Sequence, residues 1–470
     1  FFECLPDIPA LCGNEKILID NKKRLRFYEH FGARPITKTL YETPVNDSDT
    51  CPPLLVFDGL DRDYILNGMV LKRVVAAILE RKYADYCSPD YRKMVINSIQ
   101  DGPVELRVFK YMNRDKKLVE KRGLREDQKI ILVVNERHSI HHVRERGYVE
   151  SPVRINSIKK EIIKTGLFRE IKPSLFSENY IRKVHSNGLV SYLKKVCADL
   201  TEGQSVYPYV FPIRNTKKPP KDRSVAAGYY CIDTFTPIHK NAFLASKRAV
   251  DCVLTASQKM LEEHPLSYAL IRPPGHHAEK KVFGGFCYFN NVAIAAQYLS
   301  EFGTVAILDI DYHHGNGQED IFYQRNDVLT ISIHGHPSFA YPYFSGFEEE
   351  KGAGPGKGFN RNYPLQENLP SDDYREILKK ALKKISQFSP KFLLISLGFD
   401  TGKGDPTGTW SFTAQDFYEN GKLIGKLKYS TLIVQEGGYK NTSIGINARH
   451  FFSGLWDGRF NDKITNNLKK

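Results

Sequence analysis

The stretch TVAILDIDYHHGNG at residues 304–317 constrains this chain more than any other. Its first half is apolar and rich in branched residues, which predicts a β-strand buried on both faces. Because strand side chains alternate between faces, Asp309, Asp311 and His313 project to the same side. Aspartate oxygens and a histidine nitrogen at the carboxyl end of a parallel strand suit zinc or another divalent first-row metal. A surface strand end with solvated charges is the alternative.

Three more polar clusters follow short apolar runs, and each stands at the end of a predicted strand. They carry His276 and His277 in YALIRPPGHHAE, Asp400 in KFLLISLGFD, and Tyr439 in TLIVQEGGY. Taken singly, these residues have ordinary structural explanations as loop histidines, a helix cap and a core aromatic residue. Because the carboxyl ends of parallel strands meet at one edge of a sheet, the four clusters together predict a single site.

Composition limits the class of protein to which this site belongs. With 470 residues, the chain is longer than one average domain, and 41% hydrophobic and 12% aromatic residues are typical of a folded protein. No apolar run reaches membrane-spanning length, and the first residues lack the pattern of a signal peptide. We therefore expect a cytoplasmic protein. The chain begins with Phe1 and not with Met, which leaves open a fragment or a processed form.

Charge and cysteine usage exclude two other classes. The net charge of +14 raises the question of a nucleic-acid partner, but basic residues alternate with acidic ones, as in the run 116–126. This mixture indicates a solvated surface, so nucleic acid is not an expected partner. The eight cysteines include no C-x-x-C pair, which predicts free buried thiols in a reducing compartment and no disulfide or zinc-finger framework.

The chain divides into three predicted segments. From residue 129 onward, strands and helices alternate, which assigns 129–470 to one α/β domain with an open parallel sheet and helices on both faces. Residues 61–128 place apolar and charged residues at helical spacing, which predicts a helical connector. Residues 1–60 predict a small α/β unit in which an amphipathic helix ends at Gly32 and is followed by a strand.

The pattern RFYEHFG at residues 26–32 resembles the last helix and strand of the N-acetyltransferase (GNAT) superfamily. That family holds the acetyl-CoA pyrophosphate on a Gly-rich turn at a helix N-terminus, upstream of this pattern. No such turn precedes the pattern in this chain. Residues 1–60 are therefore expected to be a partial acetyltransferase-like segment that serves as a structural appendage.

Five motifs in the third segment carry a more specific resemblance. RPPGHHA, GFCYFNN, DIDYHHGNG, SLGFD and EGGY occur in the same order as in the histone deacetylase and acetylpolyamine amidohydrolase family. The resemblance covers residues 129–460 and implies the arginase/deacetylase fold. GYYC at 228–231, GFEEEKGAG at 346–354 and IGINA at 444–448 favour the acetylpolyamine branch.

This resemblance implies the metal ligands of the site. Asp311, His313 and Asp400 match the three zinc ligands of the family, and three protein ligands leave the metal an open position for catalysis. Another divalent metal is the alternative to zinc. The family also binds a monovalent cation, expected to be K⁺, through backbone oxygens beside these ligands. Ser332 matches the side-chain ligand of that cation.

The resemblance also implies the catalytic residues. His276 and His277 match the tandem histidines of the family. Asp309 would keep His276 positively charged, whereas Asn316 stands where a second carboxylate can occur and would leave His277 less basic. We therefore expect His277 to be the general base and acid, with His276 as an electrostatic support. Tyr439 matches the residue whose hydroxyl donates to the tetrahedral oxyanion.

The matching tunnel residues bear on substrate size. Phe286 and Tyr341 match the aromatic walls of the acyl tunnel, with Gly285 beside them. Asn187 matches the rim position where protein deacetylases commonly have an aspartate that anchors the substrate backbone. An uncharged acceptor weakens that grip on peptide N–H groups. Residues 201–223 match an insertion that narrows the entrance in acetylpolyamine enzymes and packs a homodimer.

The sequence thus predicts a zinc-dependent amidohydrolase that removes an acetyl or similar short acyl group from a small amine. Lys194 and Lys195 stand near the predicted mouth and disfavour a long polycation, so short mono-acetylated amines or acetyl-lysine-like molecules are preferred over acetylspermine. A histone-type protein lysine deacetylase is one alternative. A non-catalytic module that binds acetylated ligands is another, although it should have lost a metal ligand or the tyrosine. A ureohydrolase of the same fold would need bridging aspartates, which HHGN at 313–316 replaces.

Overall fold

The computed structural model of the chain describes two compact units, Phe1–Glu120 and Lys121–Lys470. The described residues are 1–30, 32–46, 49–59, 66–108, 110–111, 124–145, 147–212 and 220–461. Most of the predicted charged run at 116–126, and residues 213–219 of the predicted insertion, lie outside them. No helix within these ranges has the length and apolar character that would let it cross a membrane.

The first unit is built on a small antiparallel sheet. Its described elements are β1 (Phe2–Cys4), α1 (Glu15–His30), β2 (Arg34–Pro35), β3 (Leu54–Phe57), α2 (Gly68–Arg81) and α3 (Pro89–Asn97). The strands pair in the order β1-β3-β2. Helix α1 ends just before Gly32, as predicted, because Gly32 adopts a φ of +90° that side-chain-bearing residues avoid.

The helices α2 and α3 belong to the same compact unit as this sheet. Leu71, Val75 and Leu79 form the buried face of α2 and pack in one hydrophobic cluster with Leu55 and Phe57 of β3. The apolar residues whose spacing predicted a helix therefore pack against the sheet. The compact units divide at residue 120, whereas the predicted segments change at residues 60 and 128.

The cysteines correct one prediction. Cys12 and Cys51 form a disulfide in the first unit, so the expectation of free thiols throughout is wrong for this pair. The chain returns to the same place before β3, where the Cys51 N–H donates to the Leu11 carbonyl at 3.1 Å. A separation of 39 residues leaves no local motif that could have indicated the pairing. The pair also weakens the composition argument for a reducing compartment. The other six are free and buried: Cys4, Cys87, Cys197, Cys231, Cys252 and Cys287.

The second unit alternates strands and helices along most of its length. Its described elements are β4 (Ile130–Val134), α4 (Val153–Ile163), β5 (Phe168–Ile171), α5 (Asn179–Arg182), α6 (Asn187–Asp199), β6 (Ser205–Val206), α7 (Arg223–Tyr230), β7 (Ile238–His239), α8 (Ala242–Leu261), β8 (Leu266–Leu270), α9 (Asn291–Leu299), β9 (Val305–Asp309), α10 (Asn316–Phe322), β10 (Val328–Gly335), β11 (Asn360–Leu365), α11 (Ser371–Phe388), β12 (Phe392–Leu397), α12 (Ala414–Gly425), β13 (Ser430–Gln435) and α13 (Ile444–Phe460).

Eight of these strands form one parallel sheet in the order β11-β10-β9-β12-β13-β8-β4-β5. Both faces are buried. In β9, Val305 and Ile307 belong to the hydrophobic cluster that contains α8 and α9, whereas Ala306 and Leu308 belong to the cluster that contains α11, α12 and α13. The predicted fold class, an open parallel sheet with helices on both faces, is confirmed.

The register of the sheet determines where the polar strand ends meet. Strands β9, β12, β13 and β8 are neighbours in the middle of the sheet. Asp309 at the end of β9 is level with Ser396 of β12 and with Ser332 of β10. Leu397 of β12 is level with Gln435 of β13. The loops that follow these strands therefore leave the sheet at the same edge.

Candidate active site

Three ligand-type side chains converge at this edge. One ligand atom each of Asp311, His313 and Asp400 lies within 4.8 Å of the others. His313 Nδ1 stands 3.2 Å from Asp311 Oδ1 and 3.2 Å from Asp400 Oδ2. Backbone amides hold the carboxylates in place, since Tyr312 N donates to Asp400 Oδ1 at 2.9 Å and Gly437 N donates to Asp311 Oδ2 at 2.8 Å.

The surroundings of these three residues fit a divalent metal. Asp311 and Asp400 are both fully buried, and burial together with the neighbouring Asp311 charge raises the pKa of Asp400 to about 6. A cation between the two carboxylates would relieve this repulsion. A Cβ atom at Gly398 or Gly437 would overlap the carboxylates, so these glycines leave the space in which their oxygens converge. The chain has an Asp-His-Asp site for a divalent metal.

His276 is bound to a carboxylate. Its Nδ1 lies 3.0 Å from Asp309 Oδ2, and Gln318 Nε2 donates to the same oxygen at 2.5 Å. Burial opposes a charged ring, but the carboxylates of Asp311 and Asp309 prevail and raise the pKa of His276 to about 10. The structure thus brings together the predicted pair of His276 and Asp309.

His277 has a different partner. Its Nδ1 lies 2.7 Å from Asn316 Oδ1, and Asn316 is the first residue of α10. Burial, followed by the neighbouring His276 and His313, holds the pKa of His277 well below its ordinary value. The pKa values of these adjacent histidines, whose ring centroids are 4.0 Å apart, are therefore shifted in opposite directions: carboxylates raise that of His276, whereas burial and neighbouring histidines lower that of His277.

Aromatic side chains surround the histidines. The Tyr341 ring stands edge-on to His277 with centroids 4.7 Å apart, and Phe286 lies 5.6 Å from Tyr439. Phe235 contacts both Phe286 and Tyr341 at 5.5 Å. The residues predicted as walls of an acyl tunnel, Phe286 and Tyr341, therefore lie close to His277, with Phe235 in contact with both.

Asp233 connects the two walls. Its Oδ2 accepts from Gly285 N at 2.6 Å and from the Tyr341 hydroxyl at 3.0 Å. Gly285 has a φ of +58°, and a Cβ atom there would overlap the His277 ring, so only glycine fits this position. Phe286 follows with a φ of +66°, and Phe286 N donates to Thr236 Oγ1 at 3.0 Å. One buried carboxylate thus binds both the Gly285 backbone and the Tyr341 side chain.

Tyr439 is nearly buried and is held from two directions. Its N–H donates to Asp405 Oδ2 at 2.6 Å, and the Arg154 guanidinium lies 4.7 Å from the ring centroid. Arg154 also donates to the carbonyls of Gly438 and Glu436. These contacts fix the double-glycine turn on which the tyrosine stands.

Two further predicted site residues are Ser332 and Asn187. Ser332 is buried beside the loop after β9, with its Oγ 2.8 Å from His334 Nδ1 and 3.4 Å from Gly315 N. Asn187 begins α6, is exposed, and accepts from Arg182 Nη1 at 3.1 Å. Its place at the tunnel rim stays a prediction.

Several site residues escaped the sequence analysis: Asp233, Gln318, Arg154, Asp405 and Glu279. Asp233 has a local signature, because its Oδ1 accepts from Phe235 N and Thr236 N in the manner of an Asx turn. That pattern does not indicate the distant Gly285 and Tyr341. Arg154 gives no local indication at all, since nothing in its helix predicts a fully buried guanidinium.

Comparison with known proteins agrees with this geometry. The family model described as histone deacetylase domain matches residues 148–455. Acetylpolyamine amidohydrolase 2 of Pseudomonas aeruginosa is 38% identical over 339 residues, which cover 69% of this chain and 98% of the relative. The crystal structure of acetylpolyamine aminohydrolase from Burkholderia pseudomallei is 35% identical with a TM-score of 0.67 and covers 70% of this chain and 99% of that one. The HDA15 HD domain is 26% identical with a TM-score of 0.59, over 70% and 88%.

Fold and site together define a deacetylase-type amidohydrolase with a divalent metal site. The chain belongs to the histone deacetylase family, and it is similar to the acetylpolyamine amidohydrolases within that family. The family match begins at residue 148, so the resemblance of residues 1–60 to acetyltransferases receives no support from it and stays a prediction.

Proposed function

We propose that this protein is a zinc-dependent deacetylase that hydrolyses small acetylated amines. The main support is that Asp311, His313 and Asp400 converge beside two histidines, one with a raised pKa and the other with a lowered pKa. These three residues would hold the metal. When bound there, zinc supplies a Lewis acid that activates water and polarises the amide carbonyl.

His277 is the proposed general base. Its Nδ1 is engaged by Asn316 Oδ1, an acceptor, so the proton resides on Nδ1 and Nε2 keeps a free lone pair. The ring is neutral because burial and its neighbours lower its pKa. His277 takes a proton from the attacking water at Nε2 and later returns it to the departing amine. His276, held by Asp309, contributes positive charge next to the developing oxyanion.

Tyr439 is the proposed oxyanion donor, and the aromatic walls position the acyl group. Arg154 under the ring and Asp405 on the backbone restrict the orientation of Tyr439. A hydroxyl fixed in advance stabilises charge that develops only in the transition state. Phe286 and Tyr341 exclude water from the acyl chain. Ser332 is proposed to contribute a ligand for K⁺ next to the same strand end.

A small amine is the proposed substrate class. Two of the three similar proteins described above are named for acetylpolyamines, and both of these are matched along nearly their whole length. Asn187 stands where a charged anchor for peptide backbone would be expected, while Lys194 and Lys195 disfavour a long polycation. A short mono-acetylated diamine or an acetyl-lysine-like molecule satisfies both conditions. Protein lysine deacetylation and acetyl-ligand binding without turnover are the alternatives.

A substrate series tests this proposal. We expect kcat/KM to fall in the order N-acetylcadaverine, acetylspermine, acetylated histone peptide, each assayed with zinc-loaded enzyme and again after chelation. A clear preference for the histone peptide would favour the protein deacetylase. Binding of acetylated ligands with no release of acetate would favour the binding module.

Four further parts of the proposal rest on the sequence. We infer a cytoplasmic location, no nucleic-acid partner, and a homodimer formed through residues 201–223. The described part of this insertion exposes Tyr209, which is 83% accessible, as an apolar contact for a second copy. Residues 1–60 are proposed as a partial acetyltransferase-like segment without acetyl-CoA binding. Sedimentation of the full chain tests the dimer, and calorimetric titration tests acetyl-CoA binding.

A further inference from the structure

Glu279 lies three residues beyond His276 and makes one side-chain contact that bears on the general base. Asn316 Nδ2 donates to Glu279 Oε1 at 2.8 Å and to the His277 carbonyl at 3.2 Å. The other end of the same amide, Asn316 Oδ1, faces His277 Nδ1 at 2.7 Å. The carboxylate, the amide and the imidazole therefore form a chain of hydrogen bonds that ends at His277.

This chain of contacts determines the orientation of the Asn316 amide. The oxygen and nitrogen ends of an asparagine have nearly the same shape, so only their partners decide which end faces which group. An ionised carboxylate and a backbone carbonyl can only accept, so Glu279, with the shorter contact, and the His277 carbonyl both require the nitrogen end of Asn316. The oxygen end is then left for His277. Because that oxygen accepts, His277 must carry its proton on Nδ1 and present Nε2 as the free base.

We propose that Glu279 is a positioning residue for the deacetylation: it holds Asn316 in the one orientation that keeps His277 in the Nδ1-protonated form. The inference rests on the proposed function, in which His277 Nε2 takes the proton from water. It assigns a role in the reaction to a residue that does not touch the reacting atoms.

The fold holds the backbone of Glu279 firmly while its side chain reaches Asn316. Asn290 N donates to His185 Nε2 at 2.8 Å, so His185 donates from Nδ1 to the Glu279 carbonyl, also at 2.8 Å. The next residue, Lys280, donates its N–H to Asp320 Oδ2 at 2.9 Å. Contacts on both sides of the turn thus fix the direction of the Glu279 side chain.

The surroundings of Glu279 disfavour its ionised form, and the hydrogen bond from Asn316 opposes this effect. Burial, with the nearby Asp320 and Glu319, raises the pKa of Glu279 to about 7, while the hydrogen bond from Asn316 opposes the shift. The Asn316 amide is thus the neighbour that stabilises its ionised form. This arrangement also explains why residue 316 is an amide: an aspartate there would place a second carboxylate against Glu279.

Two substitutions at Glu279 separate the acceptor from the charge. Glu279→Ala removes the acceptor, and we expect kcat to fall by about 10- to 100-fold, the range seen when partners that orient catalytic groups are removed. KM should change by less than about twofold, since the tunnel is untouched. Glu279→Gln keeps an oxygen that can accept from Asn316, so kcat should stay within about threefold of the parent. Asp320→Asn in α10 is the matched control, because it removes a charge near Glu279 but keeps an oxygen that can accept from Lys280 N.

A reciprocal substitution tests the same contact from the other side. Asn316→Asp should lower kcat by about tenfold or more, because two carboxylates then face each other at hydrogen-bond distance. Combining it with Glu279→Gln should restore the part of that loss that the two carboxylates cause, because the glutamine nitrogen can donate to the introduced carboxylate, which still faces His277 Nδ1. An Asn316→Asp variant as active as the parent would contradict the proposal.

The tautomer of His277 can be observed without turnover. Long-range ¹H–¹⁵N spectra of the metal-free protein should show His277 protonated on Nδ1 in the parent and a mixture of forms in Glu279→Ala. Turnover of the parent on N-acetylcadaverine tests the proposed function, and the tautomer tests Glu279, so the two can fail separately. Equal activity of Glu279→Ala and Asp320→Asn would overturn the inference. Equal losses in Glu279→Ala and Glu279→Gln would also overturn it, because charge and not orientation would then matter.

Discussion

Buried acids in the first unit differ from those at the edge of the large sheet. In the first unit, Asp7 and Glu29 have side chains with no exposure, and one guanidinium serves both. Arg107 Nη1 lies 2.7 Å from Asp7, and Arg107 Nη2 lies 3.0 Å from Glu29. The Tyr111 hydroxyl donates a further hydrogen bond to Asp7 at 2.5 Å. Lys110 Nζ lies 3.2 Å from Asp7 Oδ2, so two cations match the two acids within the fold, as burial of a charge requires.

At the sheet edge, the charge is not matched in this way. Within the described ranges, the side-chain ion pairs of Asp309, Asp311 and Asp400 are with histidines, not with lysine or arginine. Buried acids also differ within the second unit. Burial opposes ionisation of Glu150, but Arg272 and Arg154 prevail and lower its pKa to about 2, whereas the pKa of Asp400 is raised to about 6. A buried acid that is paired with a guanidinium needs no further cation, whereas two adjacent buried acids, one of which raises the pKa of the other, fit a cation from outside.

Removal of a metal ligand should have the largest effect on turnover. Asp311→Ala, or chelation of the parent, should lower turnover by about a thousandfold or more, since the metal supplies several kcal/mol of transition-state stabilisation. The fold should persist because the two large hydrophobic clusters are unaffected. Both tryptophans, Trp410 and Trp456, lie in the second unit, so their fluorescence during denaturation reports on that unit alone.

Restoring zinc provides the control for that experiment. Added zinc should recover the chelated parent and leave Asp311→Ala inactive. Full activity of a sample verified to be free of metal would show that the unmatched acids serve another purpose.

Tyr439→Phe should have the next largest effect. The substitution removes one hydroxyl that stabilises charge on the carbonyl oxygen, so kcat should fall by about a hundredfold while substrate affinity changes little. The Arg154 guanidinium still meets an aromatic face, and the turn should keep its shape. An unchanged rate in steady-state assays would mean that Tyr439 is a packing residue only.

Strand-end motifs in the sequence supplied Asp309, Asp311, His313 and Asp400. The alternation argument for the first three was wrong in its basis, because β9 ends at Asp309 and both Asp311 and His313 lie in the loop that follows it. The contact between Asp233 and Tyr341 spans 108 residues, and neither residue indicates the other locally. The Cys12–Cys51 pairing was missed for the same reason. Such contacts depend on how elements pack and not on the pattern within one element.

Asp233 differs from both kinds of buried acid, because the Gly285 N–H and the Tyr341 hydroxyl that donate to it are neutral. Asp233→Ala would leave the Gly285 N–H and the Tyr341 hydroxyl without their acceptor, so the Gly285 turn and the Tyr341 ring should shift. If they form the proposed tunnel walls, we expect kcat/KM to fall by about tenfold, with KM affected as well as kcat, because their displacement costs both binding and alignment. Asp233→Asn, which retains one oxygen, should lose less. A loss in kcat with KM unchanged would instead indicate a direct part in the chemistry.

The first unit should show the reverse pattern, with a loss of stability and no effect on turnover. Burial opposes ionisation of Asp7, but the Tyr111 and Arg107 hydrogen bonds prevail and lower its pKa. A folded pKa below the unfolded value gives stability that is present above about pH 4 and is lost as the pH falls further. Asp7→Asn should therefore destabilise the first unit by about 3 kcal/mol near neutral pH, and less in acid.

Calorimetry can follow this loss while tryptophan fluorescence follows the second unit separately. Asp20→Asn is the matched control, because Asp20 pairs with Lys23 on the surface, where both side chains are more than half exposed. It should change stability by less than about 0.5 kcal/mol. With both units folded, kcat/KM of Asp7→Asn should equal that of the parent, since its charge is matched by Arg107 and not by a metal. A fall in turnover comparable to that of Asp233→Ala would show that the acids of the first unit act on the site after all.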